Sequence, residues 1–339
     1  MQQFSKKVEE GASKFLITKM LGKTKQSREQ IFKDWCGWSL KNHDCDPALW
    51  LLNYLFKRFE HNLEQKYWIA WIYGTTYHLP TAWIIWNEFP DFELVNQSRL
   101  QKWNDENFKR LRYQTDTKWN KGHLPQQYAS YKRWVLHDNP EGTQRARFKK
   151  LMNKPFEYIW LSIVNNMHKF GRYSTWYYLQ TLEECVGVPI YPNNLKLNDH
   201  SGSKSHRNGL LYALSHEDLI NQKLDSNTIF YLEHQAARLK KELKDESNID
   251  MNFYQMETLL CSFKKIFRNR DGRYLGYYLD RQAEEIKKVE QDEWNGIDWQ
   301  VFWDGREETL HPKLAASKQI RKDLFSVFLD TGTLNYKTL

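Results

Sequence analysis

Apolar positions recur every three to four residues along most of this chain, with polar residues between them. That period sets one face of a helix against a core and leaves the other faces wet. Phe156, Ile159, Trp160, Ile163, Val164 and Met167 form the clearest stripe, opened by Pro155. Ile229, Leu232, Ala236, Leu239 and Leu243 form another, on a helix whose remaining faces are charged. Start signals stand ahead of most stripes. Ser27 and Gln30 have capping-box spacing before Ile31, Phe32 and Trp35, and Asn62 and Gln65 repeat it before Trp68, Ile69 and Ile72. Asp46 precedes Pro47 as an N-cap ahead of Leu49, Leu52, Phe56 and Phe59, and Pro80 opens a helix carrying Trp83 and Trp86. Ser98 with Gln101 is expected to cap the stripe Leu100, Trp103, Phe108 and Leu111, and Asp250 to cap a helix over 251–267. A helix over 174–185 stops at Gly187 with Pro189 beyond. Residues 274–289 read as a further helix, and Ile320, Leu324, Phe325 and Phe328 as a last one. Alternating strand patterns with hairpin turns are scarce. The expected fold class is all-α, a compact multi-helix fold with minor β.

With 339 residues the chain can form one large domain or two ordinary ones. No flexible linker is visible, so the expectation is a single helical unit over 1–339. Its lobes would be 1–190 and 209–339, joined by the Asn-, Ser-, Pro- and Lys-rich loop 191–208. No apolar run approaches the roughly 20 residues of a spanning helix, and the start of the chain has no apolar signal region. The expectation is a cytoplasmic protein with no membrane partner. Cys36, Cys45, Cys185 and Cys261 form no close pair, which argues for buried thiols over a disulfide framework or a structural zinc site.

Charge and aromatic content sharpen the picture. Lys and Arg number 50 against 42 Asp and Glu, a formal net charge of +8, which draws polyanions, nucleic acid first and an anionic membrane surface second. The chain also holds 15 Trp and 19 Tyr; most must be core, but such rings also stack on bases.

Five stretches carry candidate chemistry. Asp199-His200-Ser201-Gly202-Ser203-Lys204-Ser205-His206-Arg207-Asn208-Gly209 runs into an apolar helix. Its small residues, hydroxyls and cations at a helix start suit a phosphate or pyrophosphate, with Ser203, Lys204, Ser205 and Arg207 as donors. It is not a Walker A loop, and the same composition suits a solvated surface loop. Arg112, Tyr113, Lys118 and Trp119 interleave cations with rings around Asp116, as a nucleic-acid groove requires; an amphipathic helix with solvated lysines reads the same way. Arg172, beside Tyr173, Trp176, Tyr177 and Tyr178, suits anion recognition or a plain helix entry. Asp298 lies among Trp294, Trp299 and Trp303, where desolvation would raise a carboxylate's pKa, although such an Asp also caps helices. The block 269–273, followed by Tyr277, Arg281 and Glu284 on one helical face, is an ion-paired surface or a base beside a cationic wall.

No HxE with PCxxC, GxSxG, HExxH or GxGxxG occurs, and the 11 histidines show no ligand pair. The expectation is metal-free catalysis with no required cofactor, or Mg2+ arriving with a phosphorylated substrate.

Several blocks together resemble a known family. They are Trp68-Ile69-Ala70-Trp71-Ile72-Tyr73-Gly74-Thr75-Thr76-Tyr77-His78-Leu79-Pro80 and its continuation to Phe92, Leu111-Arg112-Tyr113-Gln114-Thr115-Asp116, Ser203-Lys204-Ser205-His206-Arg207-Asn208-Gly209, and Trp299-Gln300-Val301-Phe302-Trp303-Asp304. They look like the phage amino-acid:DNA transferases, also called α-glutamyl/putrescinyl thymine pyrophosphorylases, which are related to the helical domain attached to 5-hydroxymethyluracil DNA kinases. The resemblance implies a hypermodified-thymine pathway in a phage-infected bacterium. There a kinase makes the pyrophosphoryl ester of 5-hydroxymethyluracil in DNA, and the transferase replaces pyrophosphate with an amine from an amino acid or polyamine. It also implies a fold distantly like the DNA glycosylases, acting on double-stranded or locally opened DNA by base flipping. Under that chemistry Lys204, Arg207, Ser203, Ser205 and Arg172 would receive the leaving pyrophosphate. Asp116, with Asp298 behind it, would take the amine's proton. Tyr77, Trp83 and Tyr113 would hold the base, with Arg112, Lys118 and Trp119 on the DNA. A non-catalytic DNA-binding phage protein and a glycosylase-like enzyme remain as alternatives at this point.

Overall fold

The computed structural model describes residues 27–200, 202–266 and 274–315, apart from the side chains of Asp116 and Lys313. The expected helix around Ile320–Phe328 and the block 269–273 lie outside these residues. In chain order the helices are α1 (Arg28–Lys41), α2 (Pro47–Arg58), α3 (Leu63–Thr76), α4 (Leu79–Glu88) and α5 (Gln97–Asn107). Then come α6 (Leu124–Leu136), α7 (Gln144–Leu151), α8 (Phe156–Val164), α9 (Arg172–Thr181) and α10 (Lys204–Ala213). The last are α11 (Ser226–Ser247), α12 (Phe253–Phe263), α13 (Tyr277–Glu290), α14 (Gln300–Thr309) and α15 (Pro312–Ala315). The fold is all-α; the minor β structure expected from the sequence is not found among the described residues.

The helices group into two compact units. The first spans Met1–Pro47, Asn194–Arg281 and Leu310–Leu339, and the second Ala48–Asn193 and Gln282–Thr309.

In the first unit α1 packs on α10, α11 and α12. Ser27 caps α1 as its spacing predicts, its hydroxyl accepting from Gln30 N–H. The stripe Ile229, Leu232, Ala236, Leu239 and Leu243 is buried on α11 and joins Trp35, Trp38, Leu260 and Phe263 in one core. α12 opens two residues later than expected. Its cap is Asn252, in a reciprocal box with Gln255, while Asp250 is drawn off to pair with Lys240 and Lys244. α10 and α12 cross in direct backbone contact at Gly209. A Cβ there would lie 2.1 Å from Leu260 O, so only glycine permits this approach. Asp44 is buried between loop and helix, and its carboxylate accepts from the N–H groups of Gly276, Tyr278 and Leu279.

The second unit is built on α3, which is buried from Tyr67 to Thr76 and packs against α9. Its Asn62–Gln65 capping box forms as predicted. Gly74 sits where a Cβ would be 2.6 Å from Tyr178 Cβ. Around this crossing Trp68, Trp71, Tyr131 and Phe170 stack ring on ring, Phe148 stacks on Tyr67, and the Tyr131 and Tyr178 hydroxyls meet at 3.0 Å. Much of the aromatic surplus is therefore core. The cap of α5 is Asn96 rather than Ser98, its side chain accepting from Arg99 N–H. α9 continues into a π turn over Leu182–Val186, which Gly187 closes at φ 79°.

Candidate functional site

In the first unit, Asp199, Gly202 and Ser203 lead the chain into α10. Asp199 Oδ1 accepts from Gly202 N–H at 2.9 Å, and Ser203 Oγ donates to Leu197 O at 3.1 Å, which turns the chain into α10. Ser203 is fully buried, Lys204 is exposed at the first turn, and Ser205 accepts from Lys264 Nζ at 2.6 Å. Arg207, one turn in, is 3% exposed. Its Nη1 donates to Ser203 Oγ at 3.3 Å and lies 3.4 Å from His200 Nδ1. Its Nε has no hydrogen-bond partner, and no carboxylate pairs with it among the described residues. Burial lowers the guanidinium's pKa, with Asp199 opposing from a distance. A buried cation without a counter-ion, one turn from a helix N-terminus, is an arrangement that a bound anion would complete.

The inner face of α10 holds a second cluster. His206 Nδ1 is 2.9 Å from Glu257 Oε1, and Cys261 Sγ is 3.4 Å from the same oxygen. Sequence reading missed this group, because the three residues converge only through the α10–α12 crossing.

In the second unit the expected residues fare differently. Residues Thr115–Asn120 form a 3-10 turn that is tied to the last turn of α3. Thr117 Oγ donates to Thr76 O at 2.8 Å, Gln114 N–H to the same carbonyl at 3.1 Å, and Asn120 Nδ2 to Thr75 O at 2.8 Å. These bonds use carbonyls that a helix end leaves without helical donors. The turn displays Lys118 and Trp119, the latter 77% exposed, and Lys169 Nζ donates to Trp119 O at 3.1 Å. Asp116 lies on the same turn, its side chain outside the described set.

Trp83 and Tyr113 are not surface rings. Trp83 is 3% exposed among His61, Trp86, Phe59 and Phe302, because the α4 stripe turns it inward. Tyr113 is 7% exposed, and burial pushes its phenol pKa well above the ordinary value. Tyr77, in the left-handed region at φ 46°, lies flat on Tyr177 with ring centroids 3.4 Å apart. Arg112 is not a free cation. It forks onto Asp292, with Nε to Oδ2 and Nη2 to Oδ1 both at 3.0 Å. Arg172 is 9% exposed and sits over the Trp176 ring at 5.2 Å. Asp298 is exposed and accepts from Gln300 N–H at 2.9 Å, so it is not buried among the indoles that flank it in sequence.

The sequence profile of the amino acid:DNA transferases matches residues 40–271 of this chain. The chain belongs to that family. A serinyltransferase of Salmonella phage ViI is 25% identical over 336 residues, covering 91% of this chain and 81% of that protein. No solved structure is significantly similar. An amino acid:DNA transferase joins an amino acid to DNA, so this chain is a DNA-modifying enzyme, and the non-catalytic reading falls away. The transferase has, among its described residues, no helix long and apolar enough to cross a membrane.

Proposed function

We propose that this transferase acts on pyrophosphorylated 5-hydroxymethyluracil in DNA and replaces the pyrophosphate with an amino acid or a polyamine. The nucleophile's lone pair forms a bond to the base's methylene carbon. The carbon–oxygen bond to pyrophosphate breaks, and pyrophosphate leaves with that electron pair. The observation that carries this reading is the buried guanidinium of Arg207 at the start of α10, with which no carboxylate pairs among the described residues. Such a group stabilises charge as it develops on a departing diphosphate, with Lys204 adding an exposed ammonium at the same helix end. Mg2+ would enter with the diphosphate rather than on protein ligands.

On the DNA side, Lys118 and Trp119 supply a cation and a ring on a fixed turn. The reacting base is flipped from the duplex, which frees its methylene carbon, in the stack confined to the major-groove edge, for attack and departure on opposite sides. The incoming amine must lose a proton to attack, which calls for a general base beside the methylene carbon. The relative's name makes serine the first donor to test.

The experiment is pyrophosphate release from DNA carrying the pyrophosphorylated base, with serine, other amino acids and putrescine added in turn. Donor-dependent release, together with a base of correspondingly greater mass than 5-methyluracil, is the expected result. Absence of release with every donor, from protein that still binds the DNA, would overturn the reading.

A further inference from the structure

We infer that His206, Glu257 and Cys261 form a binding site for a zinc-type divalent metal ion inside the first unit. This site stands apart from the diphosphate reading and survives its failure.

His206 Nε2 is 3.2 Å from Leu195 O, and a carbonyl oxygen can only accept, so Nε2 carries the hydrogen. In the neutral ring that leaves a lone pair on Nδ1, aimed at Glu257 Oε1 only 2.9 Å away. An ionised carboxylate is also an acceptor. Two acceptors this close, in residues 0% and 3% exposed, need a positive charge between them. A proton can bridge two donors of electron pairs, but a third is present. Cys261 Sγ lies 3.4 Å from the same carboxylate oxygen, and the three ligand atoms all fall within 4.8 Å of one another.

These separations suit a small tetrahedral ion. Bonds of about 2.0–2.1 Å to nitrogen and oxygen and about 2.3 Å to sulfur put neighbouring ligands roughly 3.3–3.6 Å apart. The imidazole N–H bonded to a backbone carbonyl is the outer contact that fixes a metal-binding tautomer. Mixed nitrogen, oxygen and sulfur donors favour zinc over magnesium or calcium. Charge closes as well, because a dication with one thiolate, one carboxylate and a neutral imidazole sums to zero, as a buried site requires. On binding, the Cys261 thiol proton passes to solvent. Cys261 is only partly buried, which gives the ion a way in.

The sequence builds the site from two helices. Glu257 and Cys261 stand four apart on α12 and share a face. His206 is three residues before Gly209 on α10, on the face that meets Leu260.

The test uses the full chain without an affinity tag, incubated with zinc chloride, desalted and assayed for metal. The expected result is one zinc per chain, with affinity at least about ten-fold weaker in Cys261→Ser and in Glu257→Gln. Retention of no zinc by the unsubstituted chain would overturn the site, as would undiminished binding in both variants. Cobalt(II) added to the unsubstituted chain gives a second reading that does not depend on variants folding. A thiolate-to-cobalt charge-transfer band supports the site; its absence from folded protein overturns it and leaves a proton shared by His206 and Glu257.

Discussion

Gly209 faces the carbonyl oxygen of Leu260 so closely that a methyl group on its Cα would sit 2.1 Å from that oxygen. The obstacle is backbone, not a side chain that can rotate away. Gly209→Ala must push α10 off α12 and disturb everything the crossing positions. We expect a loss of about 3 kcal/mol or more, at the upper end of overpacking effects, read by urea denaturation. Gly171→Ala is the control, since a Cβ there meets nothing within 4 Å and the backbone is extended. Equal stability of the two variants would contradict this account of the crossing.

That crossing also marks where sequence reading stops. Stripes such as Ile229–Leu243 and the Asn62–Gln65 box are local patterns, and they survive folding unchanged because each is decided within one or two turns. Caps chosen among neighbouring polar residues were less legible. Asn252 replaces Asp250 once tertiary ion pairs from Lys240 and Lys244 claim the aspartate. Basic and aromatic residues were visible as types, but not by exposure. Trp119 stands in solvent while Trp83 is core, and Arg112 already has its acid in Asp292, far along the chain. His206, Glu257 and Cys261 gave no local signal at all, since their meeting depends on the close approach at Gly209.

Arg207 offers a test in which stability and activity move apart. Its guanidinium is buried, no carboxylate pairs with it among the described residues, and burial lowers its pKa against the opposing pull of Asp199. Removing an uncompensated buried charge relieves desolvation. Arg207→Met should therefore melt at the same temperature as the parent or higher. If the guanidinium receives the leaving diphosphate, turnover should drop by about 10²–10³-fold, and inhibition by added pyrophosphate should weaken. A variant that destabilises the fold yet keeps its turnover would remove Arg207 from the chemistry.

Trp119 makes the complementary case on the DNA side. It is 77% exposed on a turn whose backbone is tied to Thr75 and Thr76 by Asn120 and Thr117, so the ring is displayed without being needed for packing. Trp119→Ala should leave the melting temperature unchanged and weaken DNA binding by about 1–3 kcal/mol, the worth of one stacked base. Lys118→Ala should instead lower the salt dependence of binding. Affinity in a titration at fixed ionic strength that does not change on Trp119→Ala would take the turn off the DNA.

Asp44 ties pH to the stability of the first unit. Burial pushes its carboxyl up from 3.8 to about 7; bonds from Leu279, Gly276 and Tyr278 N–H pull it back, and Asp280 pushes it further up. The folded pKa thus lies above the unfolded one, and the folded chain holds this proton longer. The linked stabilisation is complete below the unfolded value of 3.8 and is lost as pH rises to about 7, beyond which it is flat. The loss is on the order of 4 kcal/mol at most, since each tenfold change in proton affinity is worth about 1.4 kcal/mol. Asp44→Asn keeps the shape and removes the titration, although its amide turns a donor toward donors and lowers stability at every pH. Denaturation curves across that window should show the parent losing stability relative to the variant as pH rises. Parallel pH profiles for the two proteins would mean that Asp44 keeps one protonation state throughout, held by its three N–H donors.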